Sequence, residues 1–141
     1  YDNDESNIDK YGYLYNRETA KNACPKGWHL PSNDEWTELL RFLGGKGTAV
    51  EKLKSTTDWK LHEGINPGNN ESGFNALPGG CYNTEDSTFQ DLGKNAYLWY
   101  SIPEENINSS GVTGPYLLFN NVNPGYSYRI DEAYSIRCIK D

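Results

Sequence analysis

Three cysteines, two histidines and scattered carboxylates are the side chains of this chain that could perform chemistry, and their spacing limits what that chemistry can be. Cys24, Cys81 and Cys138 lie far apart, with no CxxC or Cys-His spacing to hold zinc. An odd number admits one disulfide with a leftover thiol in an exported protein, or three buried reduced thiols. His29 and His62 have no acid or thiol neighbour in sequence, and His29, set between Trp28 and Leu30, reads as a satisfied core histidine. Glu104 and Glu105 could be imagined as a glycosidase acid, but adjacent carboxylates project differently, and a solvated turn accounts for them. No GxSxG, HExxH or phosphate loop occurs, so no enzyme is expected. Asp2, Asp4, Ser6 and Asp9 do not complete a calcium loop, since Asn7 stands where its glycine belongs and Tyr13 where its bidentate Glu belongs. Asn66 to Glu71 could set oxygens around calcium, although turn chemistry explains the same residues. No cofactor is therefore expected, with calcium at that loop as the alternative.

Binding is the chemistry that the tyrosines suggest. Tyr offers a large, stiff contact area with a polar tip at low entropic cost, and Ser, Gly and Asn adapt around it. Tyr100, Tyr116, Tyr126 and Tyr128 on neighbouring strands would form a patch suited to a protein epitope or a sugar face. The competing reading is that such tyrosines only cover a core edge.

These residues must be positioned by the elements around them. The stretch CPKGWHLPSNDEWTELLRFL is the organising one: Ser32 and Glu35 have capping-box spacing, so a helix starts at Asn33. Trp36, Leu39, Leu40 and Leu43 then form one apolar stripe, and Gly44-Gly45 supplies a left-handed stop. Trp28, Leu30 and Pro31 lead in through an extended segment, and a tryptophan-rich knot is expected where loop meets helix. Residues 1 to 10 read as a surface loop and Tyr11 to Tyr15 as a strand, followed by a short helix over Arg17 to Ala23 capped by Asn16 with Thr19, Ala20 and Ala23 inward. Thr48 and Glu51 repeat the capping-box spacing ahead of a brief helix carrying Val50 and Leu53. From Gly73 onward short strands alternate with polar turn clusters, Glu85 to Asp91 among them, which predicts a small antiparallel sheet in the carboxy-terminal half. On the last strand Arg137 alternates with Ile136 and Cys138, so it either faces solvent or pairs with a buried carboxylate.

The chain has 141 residues, the size of one domain, and a single domain over residues 1–141 is expected. Eleven Tyr, fourteen Gly and only 35% hydrophobic residues favour a loop-rich α+β fold over a helical bundle. A net charge of -7 without clustered Lys or Arg argues against nucleic acid as partner. Neither a membrane span nor a signal peptide is evident, and a start at Tyr1 rather than Met suggests a segment of a longer protein.

The blocks CPKGWHLPSNDEW, LKSTTDW, GFNALPGG, AYLWYS and SIRCIKD, in that order, resemble the Fibrobacter succinogenes major paralogous domain, a family of exported Bacteroidetes and Fibrobacter proteins. That family is similar in turn to the C-type-lectin-like fold in the variant seen in formylglycine-generating enzymes. The resemblance implies two main helices packed on a small twisted antiparallel sheet with long loops over one end, and a lectin-type disulfide between Cys24 and Cys138. A formylglycine-generating activity would need reactive cysteines, which Cys24 and Cys138 in structural places do not supply. Relatives usually begin with an upstream hairpin, which is not seen here, and carry a second cysteine where Ile8 stands, so the local bridge it would make is not expected.

Residues 99 to 138 resemble the variable region of target proteins of diversity-generating retroelements, which display mutated positions on a C-type-lectin-like scaffold. Trp99, Ser101, Leu117, Phe119, Asn123, Pro124, Arg129, Ser135, Arg137 and Cys138 match its frame. The ligand-binding positions this implies are Tyr100, Tyr116, Leu118, Asn120, Tyr126, Ser127, Tyr128, Ile130 and Asp131. The expectation is a non-catalytic recognition or adhesion domain, secreted or at the bacterial cell surface in a pilus-associated protein or lipoprotein, binding an extracellular protein or glycan. The rival is a structural module of an envelope or pilus assembly, which would bury the same tyrosines.

Overall fold

In the computed structural model, residues 4–60, 67–101 and 132–141 are described together with two short strands at 116–117 and 122–123. The Ser32 cap forms as the spacing predicts. Ser32 Oγ accepts from the Glu35 amide at 3.2 Å, and Glu35 Oε2 accepts from the Ser32 amide at 2.7 Å. Helix α3 accordingly spans Asn33–Phe42 and buries Trp36 and Leu40, with Leu43 buried just beyond it. Replacing Ser32 by alanine removes half of this reciprocal pair. We expect it to cost about 1 kcal/mol, read as a lowered denaturation midpoint with an unchanged denaturant slope.

Gly44 and Gly45 stop α3 with φ of 99° and 91°. Gly45 then serves two helices, because its amide donates to Leu40 O at 2.9 Å and its carbonyl accepts from the Ala49 amide at 2.9 Å. Helix α4, Lys46–Leu53, therefore begins directly behind it, without a side-chain cap. The expected Thr48–Glu51 capping box is not made, since the helix is already under way at Thr48.

Upstream, residues 5–11 form helix α1, Glu5–Tyr11, rather than a loop and the start of a strand. Asp4 caps it, accepting from the Ser6 amide at 2.9 Å, and none of its residues is buried. Lys10 pairs with Asp58, which ties the helix to the turn before Trp59. Of the strand expected over Tyr11 to Tyr15, only a bridge between Tyr15 and Tyr134 exists. Asn16 does cap helix α2, Arg17–Ala20, but this helix is shorter than expected: Thr19 is exposed, and Ala20 alone turns fully inward.

The strands are two or three residues long. β1 (Trp28–His29) pairs antiparallel with β8 (Ile139–Lys140). β2 (Cys81–Asn83) lies between β3 (Thr88–Gln90) and β7 (Glu132–Ala133), and β5 (Tyr116–Leu117) lies between β4 (Ala96–Tyr97) and β6 (Val122–Asn123). The fold is thus α+β with small antiparallel sheets. β3 arises inside the stretch expected to be a turn; Tyr82 and Phe89 face each other across the hairpin with ring centroids 4.7 Å apart. That cross-strand aromatic pair favours closure. Among the described residues no helix is long and apolar enough to cross a membrane.

Segment 96–101 ties the molecule together. Ala96 bridges Gly80, Leu98 bridges Ser135, and Ser101 bridges Ser32, so it touches the sheet, the carboxy-terminal segment and the lead into α3. It is covered on both sides. Trp99 packs in one cluster with Ala20, Leu30, Cys81 and Tyr134, whereas Tyr100 packs with Trp36 in another. The Trp99 indole N–H donates to Tyr15 O at 2.6 Å, which satisfies the one polar group this large ring brings inside. A third cluster, around Leu40, Leu43, Val50, Leu53 and Trp59, joins α3 to α4. Lys54 is buried beside it with Nζ 4.4 Å from the Trp59 ring centroid, and burial lowers its pKa.

Candidate functional site

The disulfide implied by the family resemblance is present: Cys24 and Cys138 are bonded, with Cα atoms 5.8 Å apart. It stands beside the β1–β8 ribbon. Cys81 carries the remaining thiol, which is buried.

Of the residues implied as ligand-binding, Tyr100 lines a cleft beside Trp28 but packs most of its ring against Trp36. Only 9% of it is exposed, because the segment on either side of it is covered by pieces distant in sequence. Tyr116 sits on β5 opposite Tyr97 and Asn123. Leu118, Asn120, Tyr126, Ser127, Tyr128, Ile130 and Asp131 lie outside the described residues, as do His62, Glu104 and Glu105. In the loop considered for calcium, Asn66 is likewise outside. Its neighbours are engaged in turn chemistry: Asn69 Oδ1 accepts from the Glu71 amide, Asn70 Oδ1 from the Asn75 amide, and Glu71 pairs with Lys52 at 2.9 Å.

His29 is not a core residue. Its side chain is 42% exposed, with Nδ1 2.7 Å from Asp141 Oδ1 and Nε2 3.0 Å from Glu35 Oε1. Both nitrogens face carboxylates, so the ring is a clamp between β8 and the start of α3 rather than a base turned toward solvent. The Asp141 bond, then the Glu35 bond, raises the His29 pKa above its ordinary 6.5. Glu35 is lowered below 4.5, first by the Ser32 amide and then by His29.

The pH dependence follows from these directions. A raised histidine contributes stability that is complete below about 6.5 and fades as pH climbs through its folded value. A lowered carboxylate contributes stability that is complete above about 4.5 and fades as pH drops through its folded value. Thermal melts should thus plateau between these two limits and decline above the upper one. His29→Gln should flatten the alkaline decline, and an unaltered profile would show that the clamp adds nothing.

Among the described residues Arg137 pairs with no buried carboxylate. It is exposed, and its guanidinium carbon lies 5.0 Å from the Phe74 ring centroid. This places it at the edge of one of two clefts that flank Trp28. One, of about 520 Å³, is lined by Arg17, Ala20, Lys21, Asn22, Cys24, Trp28, His29, Leu30, Trp99, Tyr100 and Ser101. The other, of about 370 Å³, is lined by Trp28, Pro31, Glu35, Trp36, Leu39, Phe74 and residues 137–140. Both volumes fall in the range of small-molecule sites.

Trp28 is shared by the two clefts and remains 44% exposed. Of the two tryptophans where loop meets helix, Trp36 is the one that is buried, and its indole N–H has no hydrogen-bond partner among the described residues. Trp28 is held outward because it sits on a two-stranded ribbon, which buries one face at most. Its amide donates to Pro25 O at 3.0 Å, and its strand partner is Lys140. Such an indole is rigidly placed and wet, as suits contact with a ligand.

No curated protein and no solved structure matches the chain significantly. The family model described as the Fibrobacter succinogenes major domain matches residues 1–140, and the chain belongs to that family.

Proposed function

We propose that this domain is a non-catalytic recognition module of an exported bacterial protein, built on a C-type-lectin-like plan. The observation that carries the reading is the exposed Trp28, fixed between two clefts on a ribbon that stands beside the Cys24–Cys138 bridge. The disulfide supports an oxidising location, the cell surface or beyond it. It also supports the lectin-like plan, since it ties the segment just after an early helix to the residue just before the last strand. The non-catalytic reading is supported by His29, whose two nitrogens are taken by carboxylates, and by the buried Cys81 thiol. Recognition then rests first on Trp28, with Tyr116, Tyr126 and Tyr128 as further candidate contacts.

Binding of the domain to glycan and protein arrays, alongside its Trp28→Ala variant, tests this. Specific hits that disappear in the variant are expected. Hits unchanged by the substitution would move recognition away from Trp28, and an array without hits would favour a packing role in an envelope assembly. Diversification of residues 99–138 has a separate test in the flanking DNA, where a near-copy of that coding segment differing at adenines is expected.

A further inference from the structure

Resting on recognition at the Trp28 clefts, we infer that the ligand class is an acidic glycan, a chain of carboxylate-bearing sugars laid across the Trp28 indole from one cleft into the other.

Charge is the first argument. The chain carries a net -7, yet Arg17 and Lys21 line one cleft and Arg137 and Lys140 the other. Among the described residues Arg17, Arg137 and Lys140 have no carboxylate within ion-pair distance. Lys21 pairs with Glu18 at 3.1 Å, but the Glu18 side chain is 79% exposed, so a ligand carboxylate can compete for the ammonium. The other carboxylates at this face, Glu35 and Asp141, are both held by His29. Cations that no buried carboxylate among the described residues holds thus stand on both sides of one ring in an otherwise acidic protein.

Shape is the second argument. Paired clefts that share a rim residue suit a linear chain of rings, one ring face lying flat on the indole while its neighbours drop to either side. Uronate carboxylates spaced one to a ring can then reach cations in each cleft, where a charged hydrogen bond is stronger than a neutral one. An extended acidic peptide would instead want a long open strand edge, and β1 and β8 offer two residues each. Nucleic acid is disfavoured by the overall charge.

The test is titration calorimetry and tryptophan fluorescence on the folded domain with an oligogalacturonate, its fully methyl-esterified form and an oligoglutamate of equal charge. The oligogalacturonate should bind and quench fluorescence. The ester should bind at least about tenfold more weakly, and raising salt from about 0.05 to 0.5 M should weaken the acid but not the ester. Trp28→Ala should abolish binding, and Arg17→Gln with Arg137→Gln should lower affinity by at least about tenfold, about 1.4 kcal/mol. Trp28, Arg17 and Arg137 are not core residues, so unchanged melting curves will show that the variants fold. Equal binding of acid and ester, lost in Trp28→Ala, would overturn the acidic specificity while leaving recognition at Trp28 intact. Oligoglutamate binding as tightly, or no oligogalacturonate binding, would overturn the inference.

Discussion

Replacing Cys24 and Cys138 together by alanine is expected to remove about 4–5 kcal/mol of stability and to lower the melting temperature by roughly 10–20 °C. The size follows from the loop the bridge closes. Its ends are 114 residues apart in sequence, so the bridge encloses nearly the whole domain. Cross-linking so distant a pair takes more conformational freedom from the unfolded chain than a short loop would, and that freedom is regained when the bridge is cut. A domain of this size has about 5–15 kcal/mol in all, so the variant should stand near the edge of folding at growth temperature. Calorimetry of the wild type with and without reductant, set beside the double variant, measures the effect. Coincident melts of oxidised and reduced protein would show that packing alone closes the fold.

Leu53→Ala should be the most damaging single substitution in the α3–α4 cluster, at about 2–5 kcal/mol. Leu53 is wholly buried, at the end of α4, and shares a cluster with Leu40, Leu43, Val50, Trp59 and Ala76. The backbone around it is held from two sides: its carbonyl accepts from the Ala76 amide at 2.8 Å, and the Ser55 amide donates to Ala76 O at 2.9 Å. A site pinned this way cannot collapse on a smaller side chain, so a cavity should remain. Leu53→Met, which keeps the volume, should cost less than about 1.5 kcal/mol. Guanidinium unfolding of both variants checks the pair; equal losses would mean that branching rather than volume matters at this position.

What could be read from the residues was what is decided locally. The Ser32 cap, the apolar stripe of α3 and the Gly44-Gly45 stop each need only a few consecutive residues. The bridge between Cys24 and Cys138 was carried by resemblance, since spacing alone leaves three cysteines unassigned. Helix α1 was invisible because periodicity reports burial and α1 buries nothing; its support is one cap and the Lys10–Asp58 pair, 48 residues apart in sequence. Strands of two or three residues are shorter than a legible alternation, which is why β3 was taken for a turn.

The burial of most of Tyr100 has the same origin. Alternation assumes one wet face, whereas segment 96–101 is covered from both sides by pieces distant in sequence. The site suffered most from distance. His29 finds Asp141 112 residues away, and Trp28 becomes a candidate contact only because β8 comes back to lie beside it. No local pattern encodes either meeting.

The position of the bridge has a mechanical consequence for a protein working at a surface. Tension applied at the two ends of this chain would be carried from Cys24 to Cys138 through a covalent link, so everything between them would be spared extension. Only the lengths outside it, α1 and α2 on one side and β8 on the other, would lengthen under load. A single-molecule pulling trace should therefore be short in the oxidised protein and grow by the enclosed length once the sulfurs are reduced. The strand of Trp28 lies within the shielded part, but its partner β8 and the α2 residues of the neighbouring cleft lie in the lengths that yield, so the grip of Trp28 would loosen before the enclosed core is disturbed.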